Sequence, residues 1–147
     1  MSSKHEYSFP VDNECVERTV MCHTINLTRH TYYKDLGTPL KIQLRSYGIW
    51  DLHFGFIPVE TRPIREILNE TPTEIRCARI HNNSYRAQIQ YDDGTPIISS
   101  DSQSFTLLIY DLKYFQGSEI PNDRYRIIDN NDKCRALFAV IEIKIHD

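Results

Sequence analysis

Histidine and cysteine are the residue types in this chain that could bind a metal or act as an acid, a base or a nucleophile. A local zinc site or a redox motif needs two ligands about two to four residues apart, and no two of the four cysteines have that spacing. We therefore predict no metal and no cofactor. The residues concerned are Cys15, Cys22, Cys77 and Cys134, with His5, His23, His30, His53, His81 and His146.

The same side chains do not form a recognisable hydrolytic motif. A phosphoesterase with paired His-x-Thr/Ser motifs would need one on each of two opposed strands, and His30-Thr-Tyr and His53-Phe-Gly do not supply them. Acids and arginines are present but not grouped as a calcium-dependent nuclease requires. There is also no glycine-rich phosphate loop and no Gly-x-Ser-x-Gly motif. We therefore expect no catalytic residue and a protein that is not an enzyme.

Arg86 and Asp111 are the charged residues whose placement is most informative. Arg86 follows Tyr85 at the start of one predicted strand, and Asp111 ends another apolar strand. If both point inward they would form a charge-assisted hydrogen bond that ties the two strands together. Such a buried pair would fix geometry more than it would add stability. The sequence leaves open the alternative that both residues are solvated.

Composition predicts one ordered domain that binds no membrane. The 147 residues are 40% hydrophobic and 25% charged, which is ordinary for a globular protein with a sizeable core. A formal charge of −3 argues against a general nucleic-acid binder. There is no apolar run of about 18 residues and no signal peptide. We expect an intracellular protein, in the cytoplasm or in germ or RNA granules.

Hydrophobic alternation predicts that strands dominate the chain. We expect a flexible N-terminal arm over 1–17, and pairing of the strands at 40–44 and 49–57 around a turn at Gly48. Trp50, Leu52, Phe54 and Phe56 are expected to form one core face. The predicted strands are 19–27, 40–44, 49–57, 74–81, 84–91, 104–111 and 135–145.

One helix and one tight turn interrupt the strands. In Thr61–Glu70, Pro63 suits a first helical turn, and Ile64, Ile67 and Leu68 have helical spacing. Asp92-Asp93-Gly94 is typical of a hairpin turn.

In this order the elements resemble an extended Tudor domain, a Tudor barrel joined through a linker helix to an OB-like subdomain. The resemblance rests on Cys77-Ala78, Tyr85-Arg86-Ala87, the strand ending in Asp111, and a return strand over 134–140. It implies a mainly β fold: a small Tudor-like barrel with an OB-like sheet and one or two short helices. Residues 18–147 would form one domain, with OB-like strands and linker helix in 18–72 and barrel and return strand in 73–147.

The aromatic cage of such domains is degenerate here. A methylated cation is held by the faces of several rings. The family's cage positions fall on Tyr85, Ile109, Leu112 and Tyr114, and two of these carry no ring. We therefore expect an apolar peptide-binding surface and not a methyl-arginine reader. The predicted partner-binding residues are Tyr85, Ile109, Tyr110, Leu112, Tyr114 and Phe115.

The resemblance thus implies a non-catalytic interaction module or scaffold for an unmethylated peptide or partner domain, in the setting of small-RNA silencing complexes. Two alternatives remain: a methyl-arginine reader, and a single-stranded nucleic-acid binder that stacks bases on aromatic side chains. A homodimer through a strand edge is also left open. The aromatic residues of the nucleic-acid alternative are Tyr32, Tyr33, Tyr47, Trp50, Phe54 and Phe56, beside Arg29, His30 and Lys34.

Overall fold

The computed structural model describes residues 3–9, 18–30, 38–49, 53–68, 72–82, 87–99, 101–117, 124–128 and 133–147. Their fold is mainly β, as predicted, with two short helices, α1 (Thr38–Ser46) and α2 (Ile64–Leu68). Two single turns also occur: a 3-10 turn, Leu112–Tyr114, and a helical turn, Lys133–Ala136. The strands are β1 (Ser3–Phe9), β2 (Arg18–Thr28), β3 (His53–Val59), β4 (Glu74–Asn82), β5 (Ala87–Tyr91), β6 (Phe105–Tyr110), β7 (Phe115–Gly117), β8 (Arg124–Ile127) and β9 (Leu137–His146).

All nine strands belong to one sheet, in the order β1-β2-β9-β6-β3-β4-β8-β7, with β5 also paired to β4. Among the strand pairs of the described residues, only β2 and β9 run parallel. The sheet branches at β4, because residues 74–76 pair with β8 and residues 78–82 pair with β5 along the same edge. Within the described residues the two ends of this order do not meet, so the expected small closed barrel is replaced by an open, branched sheet.

The central strands of the sheet are buried on both faces. One core lies beneath α1 and contains Phe54, Phe56, Leu107, Ile109 and Ile141. The other core lies beneath α2. Its residues alternate along the strands with those of the first core, and they include Ile75, Leu108, Tyr110 and Val140. Since β6 and β9 are covered on both faces, their sequences are near-continuous apolar runs, as is typical of central strands. Phe54 and Phe56 confirm the predicted core face, and Trp50 and Leu52 lie outside the described residues.

The two halves expected from the resemblance share this sheet. β2 and β3 come from residues 18–72, and they pair with β9, β4 and β6 from residues 73–147. Residues 3–9, expected in a flexible arm, form β1 and pair with β2 from Ser3↔Thr24 to Phe9↔Arg18. The arm's other residues lie outside the described part.

The strand predicted at 40–44 is wrong, because this segment is the helix α1. Leu40 and Leu44 are fully buried and Tyr47 is 7% exposed, a spacing of four and three residues that matches a helical face. Ile42, the middle residue of the apparent alternation, is 59% exposed. Gly48, with a φ of 86°, follows the helix in the left-handed region that favours glycine. The pairing predicted for this segment is therefore also wrong, and β3 pairs with β4 and β6.

Other local predictions are confirmed. α2 follows Pro63, and Asp92-Asp93-Gly94 forms a turn in which the Tyr91 amide donates to the Thr95 carbonyl at 2.8 Å. Gly94 has a φ of 91°, which explains why glycine occupies it. No helix of the described residues is both long and apolar enough to cross a membrane.

Candidate functional site

A cleft of about 210 Å³ opens where β6 ends. The last residues of β6 and the start of the following 3-10 turn form its floor, from Ile109 to Leu112. β3 contributes His53 and Phe54 on one side, β9 contributes Phe138 on the other, and Gly48-Ile49 close one end. Its lining is therefore supplied by segments far apart in the sequence, which the sheet brings together.

A β-bulge shapes this cleft. The β6–β9 pairing is regular up to Ile109↔Ala139, and the next pair is Tyr110↔Leu137. Phe138 is consequently an extra residue on β9, and its ring lines the cleft. Bulges redirect side chains at the ends of paired strands and are common beside functional sites. The interruption of the ladder thus explains why an aromatic side chain reaches the cleft here.

The 3-10 turn fixes the acid at the cleft rim. The Asp111 carboxylate accepts a hydrogen bond from the Lys113 amide at 3.1 Å and lies 3.5 Å from Lys113 Nζ. The Asp111 amide donates to the Ala136 carbonyl at 2.9 Å. The negative charge of Asp111 raises the pKa of the Lys113 ammonium. Asp111 thus serves as the cap of the turn. Arg86 lies outside the described residues, so its pairing with Asp111 stays a prediction.

The predicted partner-binding residues do not form one surface. Ile109 and Tyr110 are each 1% exposed and lie in opposite cores, and Phe115 is 5% exposed. The structure therefore places these three residues in the cores: Ile109 and Tyr110 lie on β6, which is covered on both faces, and Phe115 begins β7 and packs in the core beneath α2. Leu112 and Tyr114 are half-buried, and Tyr85 lies outside the described residues. Of the predicted set, Ile109, Tyr110 and Leu112 line the cleft.

A polar cluster adjoins the cleft through His53. The His53 Nε2 atom is 3.1 Å from Asp92 Oδ2, and Arg79 Nε is 3.4 Å from the other oxygen of the same carboxylate. Cys77 completes the cluster: one ligand atom from each of His53, Cys77 and Asp92 lies within 4.8 Å of the others. Tyr125 is next to it, and burial together with the nearby Cys77 and Asp92 raises the pKa of its phenol.

Strand pairing creates this polar cluster. Gly55 is opposite Cys77 and His53 is opposite Arg79, so the odd-numbered residues of β3 and β4 share one face of the sheet. The turn after β5 brings Asp92 to the opposite edge of β4, where its amide donates to the Cys77 carbonyl at 3.1 Å. The spacing of these residues in the sequence does not predict that they lie together. Only the pairing of β4 with both β3 and β5 would have revealed it.

The aromatic platform of the nucleic-acid alternative is largely internal where it is described. Tyr47, Phe54 and Phe56 are at most 7% exposed and pack in the core beneath α1. Phe56 stacks on Tyr91 at 5.0 Å, and Tyr47 lies 4.0 Å from the ring of the buried His23. These rings cannot stack on bases from solvent. Tyr32, Tyr33 and Trp50 lie outside the described residues.

Comparisons with family models, curated proteins and solved structures gave no significant match for this chain.

Proposed function

We propose that this domain is a non-catalytic interaction module that binds an unmethylated peptide segment of a partner protein in the cleft at the end of β6. The observation that carries the proposal is the cleft itself, lined by Leu112, Phe138 and Phe54 beside the end of β6. Phe54 and Phe138 belong to packed strands, so this part of the cleft is held in place before a partner arrives.

The size of the cleft favours a side chain over a cofactor. Pockets that enclose drug-sized ligands usually measure about 300–1,000 Å³. The cleft, at about 210 Å³, lies below that range. It therefore suits one anchoring side chain of a longer segment. Single buried anchors of this kind often carry most of the affinity of a protein interface.

The apolar side chains of the lining favour an apolar anchor. Leu112 and Phe138 are half-buried and offer hydrocarbon surface, and the Asp111 carboxylate at the rim is already neutralised by Lys113. Burial of an aliphatic or aromatic side chain against such walls contributes about 1.5–3 kcal/mol. A peptide with one leucine-sized or phenylalanine-sized anchor is the occupant that this arrangement supports.

The positions of the rings argue against methyl-arginine recognition. A cage needs several ring faces directed at one cation. Phe54 packs in the core beneath α1, and Tyr110 packs in the core on the opposite face of the sheet with Phe115. Phe54 and Tyr110 both line the cleft, but they are only 5% and 1% exposed, so neither offers an open ring face to a cation. The setting in an intracellular assembly, such as a small-RNA silencing complex, rests on the Tudor resemblance alone.

Selection from a displayed library of random, unmethylated peptides tests this proposal on the full chain. We expect the recovered peptides to share one aliphatic or aromatic residue and to bind with little dependence on salt. Peptides carrying dimethyl-arginine and single-stranded RNA form the two comparison arms. Tighter binding of either comparison ligand would overturn the proposal, and steep weakening with salt would identify phosphate contacts.

A further inference from the structure

The cluster of His53, Cys77 and Asp92 has the ligand chemistry of a zinc site. In this cluster, three side chains that can bind a metal come together among the described residues. One donor atom from each lies within 4.8 Å of the others. The donors are an imidazole nitrogen, a sulfur and a carboxylate oxygen. Soft thiolate and imidazole ligands favour zinc over magnesium or calcium, which prefer sites built wholly from oxygen.

We propose that His53, Cys77 and Asp92 bind one zinc ion, with a water molecule as the fourth ligand. The required rearrangement is small. Zinc bonds of about 2.0–2.3 Å in a tetrahedral site place neighbouring donor atoms roughly 3.5 Å apart. His53 Nε2 and Asp92 Oδ2 are already 3.1 Å apart, and no donor pair exceeds 4.8 Å. The donor–donor distances therefore need to shorten from at most 4.8 Å to roughly 3.5 Å, which changes of side-chain torsion can provide.

Strand pairing makes the site rigid. Cys77 lies within β4, His53 begins β3, and Asp92 is tied to β4 by the hydrogen bond from its amide to the Cys77 carbonyl at 3.1 Å. All three ligands are thus attached to one segment of paired backbone. A site assembled in this way needs no short Cys-x-x-Cys motif, which is why ligand spacing in the sequence predicts no metal.

Burial defines how the ion would sit. Cys77 is fully buried, whereas the side chains of Asp92 and His53 are 18% and 39% exposed. The sulfur forms the floor of the site, and the other two ligands form its rim. Binding replaces the hydrogen bond between His53 and Asp92 and releases the thiol proton to solvent. Arg79 contacts the other oxygen of the Asp92 carboxylate at 3.4 Å, which leaves Oδ2 for the metal.

Nucleophilic catalysis by Cys77 is the competing interpretation of the same three residues. Acyl transfer requires a substrate carbon to approach the sulfur to about 3–3.5 Å. With the cysteine fully buried beneath its neighbours, no substrate carbonyl reaches it. A metal ion needs only to enter between the rim ligands. The geometry therefore favours coordination over catalysis.

Titration of the untagged, chelator-treated full chain with zinc and with cobalt tests the proposal. We expect one equivalent to bind and cobalt to give the thiolate charge-transfer band and the intense visible bands of a tetrahedral site. Asp92→Asn, which keeps the side-chain shape, and Cys77→Ser should each weaken zinc binding at least about tenfold, since loss of even an outer partner of a metal ligand costs that much. The charge-transfer band should also disappear in Cys77→Ser.

Cys22→Ser is the matched control, because Cys22 is equally buried and lies outside the cluster. It should retain both the affinity and the spectrum. Thermal unfolding of each variant without metal separates loss of ligand from loss of fold. Retention of the band in Cys77→Ser, unchanged affinity in a folded Asp92→Asn, or failure of the native chain to bind one equivalent would overturn the proposal. None of these outcomes depends on whether a peptide binds the cleft.

Discussion

Ile109 and Tyr110 are consecutive residues of β6, and their side chains lie in opposite cores, each 1% exposed. The pair shows that β6 is a central strand with no solvent face. A partner can therefore approach it only where the strand ends, at the cleft.

Ile109→Ala should destabilise the protein by about 2–5 kcal/mol, because it opens a cavity in a core that cannot collapse onto it. Urea unfolding followed by circular dichroism measures the loss. Ile42→Ala is the control, since Ile42 is 59% exposed on α1 and its truncation should change stability by less than about 0.5 kcal/mol. Equal effects of the two substitutions would contradict the two-sided burial of β6.

Gly55→Ala should cost about 1–3 kcal/mol through overpacking. A Cβ at this position would meet Ile75 Cδ1 and would lie 3.0 Å from Leu112 Cδ2. Because valine lacks that Cδ1 atom, Ile75→Val should relieve part of the clash. The double variant should be at least about 0.5 kcal/mol more stable than the sum of the single effects predicts. Strict additivity would show that Ile75 does not press on Gly55.

Arg76→Lys should destabilise the protein although lysine keeps the positive charge. The Arg76 guanidinium lies 3.4 Å from the centre of the Tyr91 ring and 2.7 Å from the Asp93 carboxylate. A lysine cannot stack on the ring and reach the carboxylate at the same time, and we expect a loss of about 0.5–1 kcal/mol. Arg124→Lys is the matched control, because Arg124 is 56% exposed and its pair with Glu74 is a surface contact. The thermal midpoint should fall measurably only for Arg76→Lys.

Stability should fall as pH rises above 9.0, in part because of Cys22. Burial raises the pKa of this thiol from 9.0 to about 11. Between these values the unfolded chain releases the thiol proton and the folded chain retains it, so deprotonation favours unfolding. Cys22→Ala removes this contribution but also leaves a small cavity. The native chain should therefore lose stability between pH 9.0 and pH 11 through Cys22, and the variant should not. The difference between their free energies of unfolding should become smaller over this range. A constant difference would contradict the raised pKa.

The sequence predicts strands well where burial enforces a clear pattern and less well where patterns are short. Leu40, Ile42 and Leu44 satisfy a two-residue period over five positions, whereas Leu40, Leu44 and Tyr47 have helical spacing. The exposure of Ile42 shows that the segment is a helix and not a strand, and the exposure of a residue cannot be predicted from its type alone.

The candidate sites depend on pairings that no local pattern encodes. Phe138 reaches the cleft because the β6–β9 ladder shifts by one residue after Ile109. His53 and Asp92 meet because β4 pairs with β3 along one edge and with β5 along the other. The Tudor resemblance indicated the segment around Ile109–Leu112, and it gave no indication of these neighbours.

The most direct test of peptide binding in the cleft is the affinity of a selected peptide for Leu112→Arg. Arginine at this half-buried position would place a charge against the proposed apolar anchor. Ile42→Arg makes the same chemical change at an exposed position away from the cleft. By calorimetric titration, we predict at least about a tenfold loss of affinity for Leu112→Arg, equivalent to about 1.4 kcal/mol, and none for Ile42→Arg. If Leu112→Arg remains folded and binds the peptide as tightly as the native chain, the cleft is not the binding site.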